Sequence, residues 1–399
     1  MHSPDLIQRS RLTPTAFTRQ RQLTLPRLVA MMLSSMCSSV QAELDSLFAQ
    51  IEQVPTRVRR VSAQAFSQAR RGFSWTLFAQ ANEHLLSLAR PLIDAHRWNG
   101  LRVIAGDGSR LQVATRAGAD LQADHYAFAL YLPGAELTLH ASLHAADGSE
   151  RQMLFEALDV VQPQTDLLVL DRGYPGNALA AALIQSQRHF CWRVDAAGWT
   201  CVRQFLHSGQ AETLVTLAPP RAADAATYAL HRTPTPVRLI RDVTPTGSVR
   251  VLMTSLLDTA RYPAASFGAL YHRRWRVEEA FKRLKHRLRL EAPTGLTHLA
   301  FQQDFAAKIL ADNLHMILTG VPSTELGDEP THRTNRTYAI GTLKPILAGC
   351  LLRLSHCLRA LPRALEAITH TRCRVQPNRA YPRPPGNKPH LHLSYKLAC

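Results

Sequence analysis

Residues 101–194 constrain the fold more than any other part of the chain, because apolar runs and turn-forming residues alternate through them. The runs at 101–106, 126–132 and 137–144 predict three successive strands. Pro133-Gly134 separates the second run from the third, which is typical of a hairpin. The region therefore begins with a predicted meander of three strands.

Two helical patterns and two further apolar runs complete this region. Residues 150–161 and 177–185 predict helices, whereas residues 167–170 and 190–194 predict strands. Helical crossovers make the later strands parallel to the first. The sequence therefore predicts a mixed α/β sheet with helices packed on its faces.

Two aspartates follow strands of this predicted sheet. Asp107 opens Asp-Gly-Ser after the first strand, and Asp171 opens Asp-Arg-Gly-Tyr after the run at 167–170. Ligands of open sheets bind beyond the carboxyl ends of strands. A single aspartate before glycine is more often a turn residue. Two of them in one sheet favour a functional site.

A third acidic candidate, Glu278, lies in a basic stretch, residues 271–289, without Gly or Pro. This stretch predicts one continuous helix. At about 100° per residue, Tyr271, Arg274, Glu278 and Lys285 share one face. Basic residues occupy the other directions, which suits a polyanion. The alternative is a solvated surface helix with ordinary ion pairs.

Charge and cysteine content narrow the class of protein. The formal net charge is +17 and the isoelectric point is near 10.2, so nucleic acid is the first partner to consider and an anionic membrane surface the second. The apolar run at 28–33 is far shorter than a bilayer span and shows no cleavage pattern of a signal peptide. Seven cysteines without a CxxC pair predict free thiols in a reducing cytoplasm.

The regions outside the sheet carry weaker signals. Residues 39–51 and 62–90 predict helices, and the basic helical segment at 61–71 is either a DNA contact or purely structural. Five strand-like pieces between 195 and 258 predict an antiparallel insertion, and they are residues 199–206, 213–217, 227–231, 237–243 and 249–256.

The C-terminal third predicts helices followed by a mobile tail. Residues 298–318 and 340–367 are helical in pattern, the second broken near Pro345 and Pro362. The last 27 residues are poor in apolar side chains. Their His390-Leu391-His392 could bind a metal but is more often incidental.

Three acidic residues on a strongly basic protein predict a divalent metal site. Carboxylate oxygens suit Mg²⁺ or Mn²⁺, with substrate phosphates and water completing the coordination shell. Two such ions, about 3.5–4 Å apart, promote an in-line displacement at phosphorus.

The spacing of Tyr271, Arg274, Glu278 and Lys285 resembles the Y-R-E-K pattern of the insertion-sequence-four family of bacterial DDE transposases. Asp107 and Asp171 look like the first and second catalytic aspartates of that family. The resemblance covers roughly residues 60–320. It implies an α/β fold, namely a ribonuclease-H-like mixed sheet with an inserted antiparallel β subdomain and flanking helical regions.

The resemblance also implies a reaction, which is cut-and-paste DNA transposition. Asp107, Asp171 and Glu278 would be the catalytic metal ligands for two Mg²⁺ or Mn²⁺ ions. Tyr271, Arg274 and Lys285 would hold DNA phosphates, and relatives pass through a DNA hairpin. The implied partners are the double-stranded terminal repeats, target DNA and a second copy of the chain, in the bacterial cytoplasm at the nucleoid and without a membrane.

We expect six segments in this chain: a helical DNA-binding region at 1–95, the first part of the catalytic core at 96–194, the β insertion at 195–258, the last part of the core at 259–320, a C-terminal helical region at 321–372 and a basic flexible tail at 373–399. Two other functions stay open. One is a catalytically silent DNA-binding regulator derived from a transposase, and the other is a nuclease specific for structured nucleic acid.

Overall fold

The structure is a computed structural model that describes residues 4–19, 21–113, 115–116, 118–244, 247–320 and 332–374. Its helices are α1 (Pro4–Ser10), α2 (Leu25–Leu33), α3 (Val40–Glu52), α4 (Ala63–Arg70), α5 (Thr76–Leu88), α6 (Arg90–Asp94), α7 (Glu150–Glu156), α8 (Asn177–Gln185), α9 (Thr200–Ser208), α10 (Ala222–Thr227), α11 (Phe267–His272), α12 (Trp275–His286), α13 (His298–Thr319), α14 (Arg336–Leu351) and α15 (Ser355–His370). Its strands are β1 (Arg102–Gln112), β2 (Asp124–Leu132), β3 (Leu137–Ala145), β4 (Asp166–Leu170), β5 (His189–Val194), β6 (Glu212–Leu217), β7 (Thr235–Val243), β8 (Val249–Thr254), β9 (His332–Thr334) and β10 (Arg372–Arg374).

The chain divides into two compact units. The sheet unit comprises residues 88–110 and 126–281, and the helical unit comprises residues 1–87, 111–125 and 282–399. None of the helices in the described part of the chain combines the length and the apolar composition that a bilayer span requires.

One eight-stranded sheet organises the sheet unit, in the order β3-β2-β1-β4-β5-β8-β7-β6. β1, β4 and β5 run parallel, and a four-residue turn joins β2 to β3, which only antiparallel neighbours permit. All five residues of β4 are buried, which explains its continuous apolar run. The predicted mixed α/β sheet with flanking helices is confirmed.

The segment from 195 to 258 differs in part from its prediction. β6, β7 and β8 are present and antiparallel, but β8 pairs with β5, so they extend the central sheet. The strand predicted at 199–206 is wrong because this stretch forms α9, which buries Val202 and Phe205 three residues apart on one helical face. The strand predicted at 227–231 is also absent, since Thr227 ends α10 and residues 228–231 follow it without joining the sheet.

The first strand is longer than predicted. β1 continues to Gln112, so Asp107-Gly108-Ser109 lies inside the strand and does not form a turn. Turn-forming residues also adopt extended conformations, and pairing with neighbouring strands here outweighs their local preference.

The helix predicted at 271–289 is interrupted and shorter. α11 ends at His272 and α12 begins at Trp275. Between them the backbone N–H groups of Arg273 and Arg274 donate to carbonyls three residues back, at 3.1 Å each, which is the tighter 3₁₀ pattern. α12 ends at His286, and Arg289 has a φ of 50°, outside the helical range.

An apolar core built from α2, α3, α4, α5, α13 and α14 holds the helical unit together. Ser39 and Ser62 cap α3 and α4 with their hydroxyls, which explains where these helices begin. The helix predicted at 298–318 is confirmed as α13.

The break predicted near Pro345 and Pro362 is misplaced. Pro345 lies inside α14 and Pro362 inside α15, and the chain turns between these helices at residues 352–354. Leu343 and Leu347 are buried on either side of Pro345. Their packing stabilises α14, so the helix continues past the proline. The predicted tail, including His390 and His392, lies from residue 375 onward outside the described residues.

Candidate active site

Asp107 lies on β1 between two glycines that bring neighbouring elements close to the strand. A Cβ atom at Gly106 would stand 2.8 Å from Cδ2 of Leu170, the last residue of β4. A Cβ atom at Gly108 would stand 2.9 Å from the Glu150 carboxylate. A larger residue at either position would displace these side chains, so the backbone around Asp107 is tightly enclosed.

Asp171 follows β4 directly and lies on the same edge of the sheet. Ala105 pairs with Val169 in parallel register, and each aspartate comes two residues later in its strand direction. Oδ1 of Asp171 accepts the backbone N–H of Gly173 at 2.7 Å. Part of its role is therefore that of a turn residue, and its second carboxylate oxygen is not used in that bond.

Glu278 reaches the site from α12, where it is half-buried while its neighbour Glu279 is exposed. Nη2 of Arg274 donates to Oε1 of Glu278 at 3.0 Å. The guanidinium of Arg274 also lies over the Tyr271 ring, 5.8 Å from its centroid. Arg274 therefore contacts two other members of the predicted face, Tyr271 and Glu278, despite the interruption before Trp275.

The charges around Asp107 show that these groups influence one another. Burial raises the pKa of Asp107 to about 7, the Arg274 cation opposes this rise, and the negative charges of Glu150, Glu278 and Asp171 add to it. The three predicted acids therefore share one electrostatic environment, together with a fourth carboxylate and one arginine.

Arg274 is the cation of this environment and is not fully hydrogen-bonded. It is only 8% exposed, and its Nε finds no acceptor among the described residues. A buried N–H without an acceptor is costly, so this atom is a candidate to donate to a bound anion.

Comparison with known proteins identifies the family to which this chain belongs. The profile described as "Transposase DDE domain" matches residues 98–314, more than half of the 399-residue chain. The chain belongs to the DDE transposase domain family.

This DDE domain also has a curated relative in Escherichia coli (strain K12), the "Transposase InsG for insertion sequence element IS4". The two are 29% identical over 185 residues, which is 45% of this chain and 41% of the relative. The match thus spans less than half of the relative's length. The predicted resemblance to the insertion-sequence-four family is confirmed.

Among solved structures, the "Cryo-EM structure of piggyBac transposase synaptic complex with hairpin DNA" aligns with 92% of this chain and 83% of that chain, with a TM-score of 0.43 and 10% sequence identity.

The donor chemistry of the DDE domain suits a hard divalent cation. Asp107, Asp171 and Glu278 offer only carboxylate oxygens, and their mutual repulsion is the kind that such an ion offsets. Across the described residues, no three His, Cys, Asp or Glu side chains are grouped tightly enough to hold a metal as they stand. The ion pair with Arg274 already occupies one oxygen of Glu278.

Glu150 is a residue of the DDE domain that the sequence analysis missed. It is the first residue of α7, and its Oε1 accepts the hydroxyl of Tyr126. Its charge raises the pKa values of Asp107, Tyr126 and Tyr174, although burial is the largest cause for each. An acid opening a helix just after a strand of the DDE sheet was the available signal.

Lys285 belongs to the helical unit, unlike the other predicted site residues of the DDE domain. Its Nζ lies 3.6 Å from Oε1 of Glu291. Its predicted contact with DNA phosphate remains a proposal.

The basic segment at 61–71 is largely structural at its C-terminal end. Arg70 is 3% exposed and bonds to Gln303, Thr294, the Ala300 carbonyl and Asp304. Because its donors are used inside the helical unit, Arg70 is excluded as a DNA contact.

Proposed function

We propose that the chain is a DNA transposase that cuts DNA at the ends of a bacterial insertion sequence and joins the released element to target DNA. The main support is the electrostatic coupling of Asp107 to Asp171, Glu278 and Arg274 within a DDE domain. The net charge of +17 supports double-stranded DNA as the partner, both as terminal repeats and as target.

The three acids would be the metal ligands in this proposal. Asp107, Asp171 and Glu278 would hold two Mg²⁺ or Mn²⁺ ions through their carboxylate oxygens. When bound, such ions activate a water or 3′-hydroxyl and stabilise the leaving oxygen at phosphorus. Asp107 has to be deprotonated to act as a ligand, and its raised pKa makes that step sensitive to pH near neutrality.

Arg274 would exchange partners when DNA arrives. A phosphate oxygen would accept from the Nε, for which the described residues offer no acceptor, and would compete with Glu278 for Nη2. That exchange would release Glu278 to serve as a ligand. Tyr271 and Lys285 would each hold a DNA phosphate, and a homodimer would act on paired element ends.

The test uses DNA fragments carrying the inverted repeats that flank the gene. With Mg²⁺ we expect cleavage at the repeat ends followed by joining to a second duplex, and neither step with Asp107→Asn. Cleavage without joining would indicate a nuclease on this fold. Specific binding without cleavage would indicate a silent regulator.

A further inference from the structure

The first turn of α7 contacts the segments that carry both aspartates. Glu150 and Arg151 are its first two residues and follow Ser149 after β3. Both lie in the sheet unit, and the three acids implied by the family do not include either of them.

Glu150 contacts the Asp107 side of the site. Its carboxylate accepts the hydroxyl of Tyr126 on β2. It also packs against the backbone of Gly108, where a Cβ atom would come within 2.9 Å of it. Any displacement of Glu150 would therefore disturb the residue next to Asp107.

Arg151 contacts the Asp171 side. Its Nε donates to the Gly173 carbonyl at 2.9 Å, and its Nη2 donates to the Pro175 carbonyl at 3.1 Å. Asp171 accepts the N–H of the same Gly173. One residue of the loop is thus bound through its carbonyl by Arg151 and through its amide by Asp171.

We propose that Glu150 and Arg151 are positioning residues that set the separation between Asp107 and Asp171. Because they are adjacent on one helical turn, a rigid element spans the two segments. This inference rests on the proposed transposase function, since it assigns these residues to the metal site of that reaction. Residues that orient metal ligands typically change metal affinity by about 10- to 100-fold when removed.

The first experiment compares Arg151→Ala with Arg188→Ala. Arg188 is the matched control because its Nε also donates to a backbone carbonyl of the sheet unit, that of Val161, at 2.7 Å. We expect Arg151→Ala alone to speed amide hydrogen exchange in residues 171–176. We also expect it to weaken Mn²⁺ binding, measured by electron paramagnetic resonance, by about tenfold. Arg151→Lys should restore part of both.

The second experiment tests the Glu150 side with Tyr126→Phe. Its control is Tyr228→Phe, which removes a hydroxyl that donates to Gln152 Oε1 at 3.0 Å on the same helix. We expect Tyr126→Phe to lower Mn²⁺ affinity severalfold and Tyr228→Phe to leave it unchanged. Thermal unfolding of all five variants separates this effect from a general loss of stability.

The outcomes distinguish the two proposals. The positioning role is overturned if each variant and its control show the same amide exchange rates and the same Mn²⁺ affinity. If the wild-type chain binds no Mn²⁺, or binds it equally well after Asp171→Asn, the proposed metal site fails. Faster exchange at 171–176 in Arg151→Ala alone would then still support the loop contact.

Discussion

Two buried arginines, one in each compact unit, show how a structural cation differs from a candidate functional one. Arg70 of the helical unit is 3% exposed and donates to four partners, including the Asp304 carboxylate at 2.8 Å. Arg274 of the sheet unit is 8% exposed, and no acceptor for its Nε is found in the part of the chain that the structure describes. Burial is nearly equal, and what separates them is how many of their donors are used.

This difference follows from the cost of burying polar groups. When all donors of a buried arginine are hydrogen-bonded, those bonds offset the free-energy cost of desolvating its guanidinium. Such an arginine can therefore serve a structural role in the helical unit. An unsaturated arginine beside several carboxylates keeps a cost that a ligand can remove. Under the proposed function, Arg274 is therefore the buried cation that would bind a DNA phosphate.

The largest expected effect comes from Glu278→Gln, which would remove a proposed metal ligand and reduce the ion pair with Arg274 to a neutral hydrogen bond. We expect DNA cleavage to fall at least about a thousandfold, comparable to the loss of other essential transition-state interactions. Binding of element-end DNA should be nearly unchanged. Glu279→Gln is the control, since Glu279 is exposed on the same helix. If Glu279→Gln inactivates and Glu278→Gln does not, the assignment of the third acid is wrong.

Arg70→Ala tests the structural side of the comparison. Removing the guanidinium leaves the Asp304 carboxylate, which is 3% exposed, without its cation. We expect the free energy of unfolding, from urea titration, to fall by about 3–5 kcal/mol. Arg60→Ala should cause little change, because its pair with Glu52 is at the surface. A stable Arg70→Ala protein would contradict the distinction drawn here.

Asp107→Asn tests whether the sheet unit gives up stability for function. The folded pKa of Asp107, about 7, exceeds its ordinary value of 3.8, so the folded state binds more protons than the unfolded state between these values. Wild-type stability should therefore fall as the pH rises from about 4 to about 7. Asparagine carries no such charge. In EDTA, Asp107→Asn should be more stable than wild type at pH 8 by about 1–3 kcal/mol and equal to it at pH 4.

The smallest effect concerns the ionic contact of Arg274. Arg274→Ala should reduce the slope of log affinity against log salt by about one unit, which is roughly a three- to fourfold change between 50 and 200 mM salt. Arg274→Lys keeps the positive charge and should keep the slope, although it loses the planar guanidinium that can donate two parallel hydrogen bonds. Equal slopes in wild type and Arg274→Ala would remove this residue from the DNA interface.

Much of the fold could be predicted from the sequence because the signals were local. The run at 167–170 and the helix at 177–185 are continuous in pattern, and the structure places β4 and α8 there. The failures share a cause. Residues 199–206 carry apolar side chains that fit a strand or a helix, and only packing of Val202 and Phe205 decides between them.

The shared face of Arg274 and Glu278 could be predicted from the sequence. The residues that pack around the candidate site, such as Glu150, could not. The spacing of Arg274 and Glu278 predicted their shared face, and their ion pair agrees with it. Glu150 acts through Tyr126, 24 residues earlier in the chain, and that proximity arises only when the sheet assembles. The metal-binding role of Asp107, Asp171 and Glu278 stays a prediction.

The pairing of β5 with β8 has a consequence for how the protein is made. β5 ends at Val194, but its antiparallel neighbour begins only at Val249. At ribosomal rates of about 5–20 residues per second, that neighbour is synthesised roughly 3–10 s later. Until then the nascent chain carries an open strand edge next to its parallel core, a surface that favours pairing with other chains. The interval in which this edge can pair with other chains thus ends before α12, which carries Glu278, has been translated.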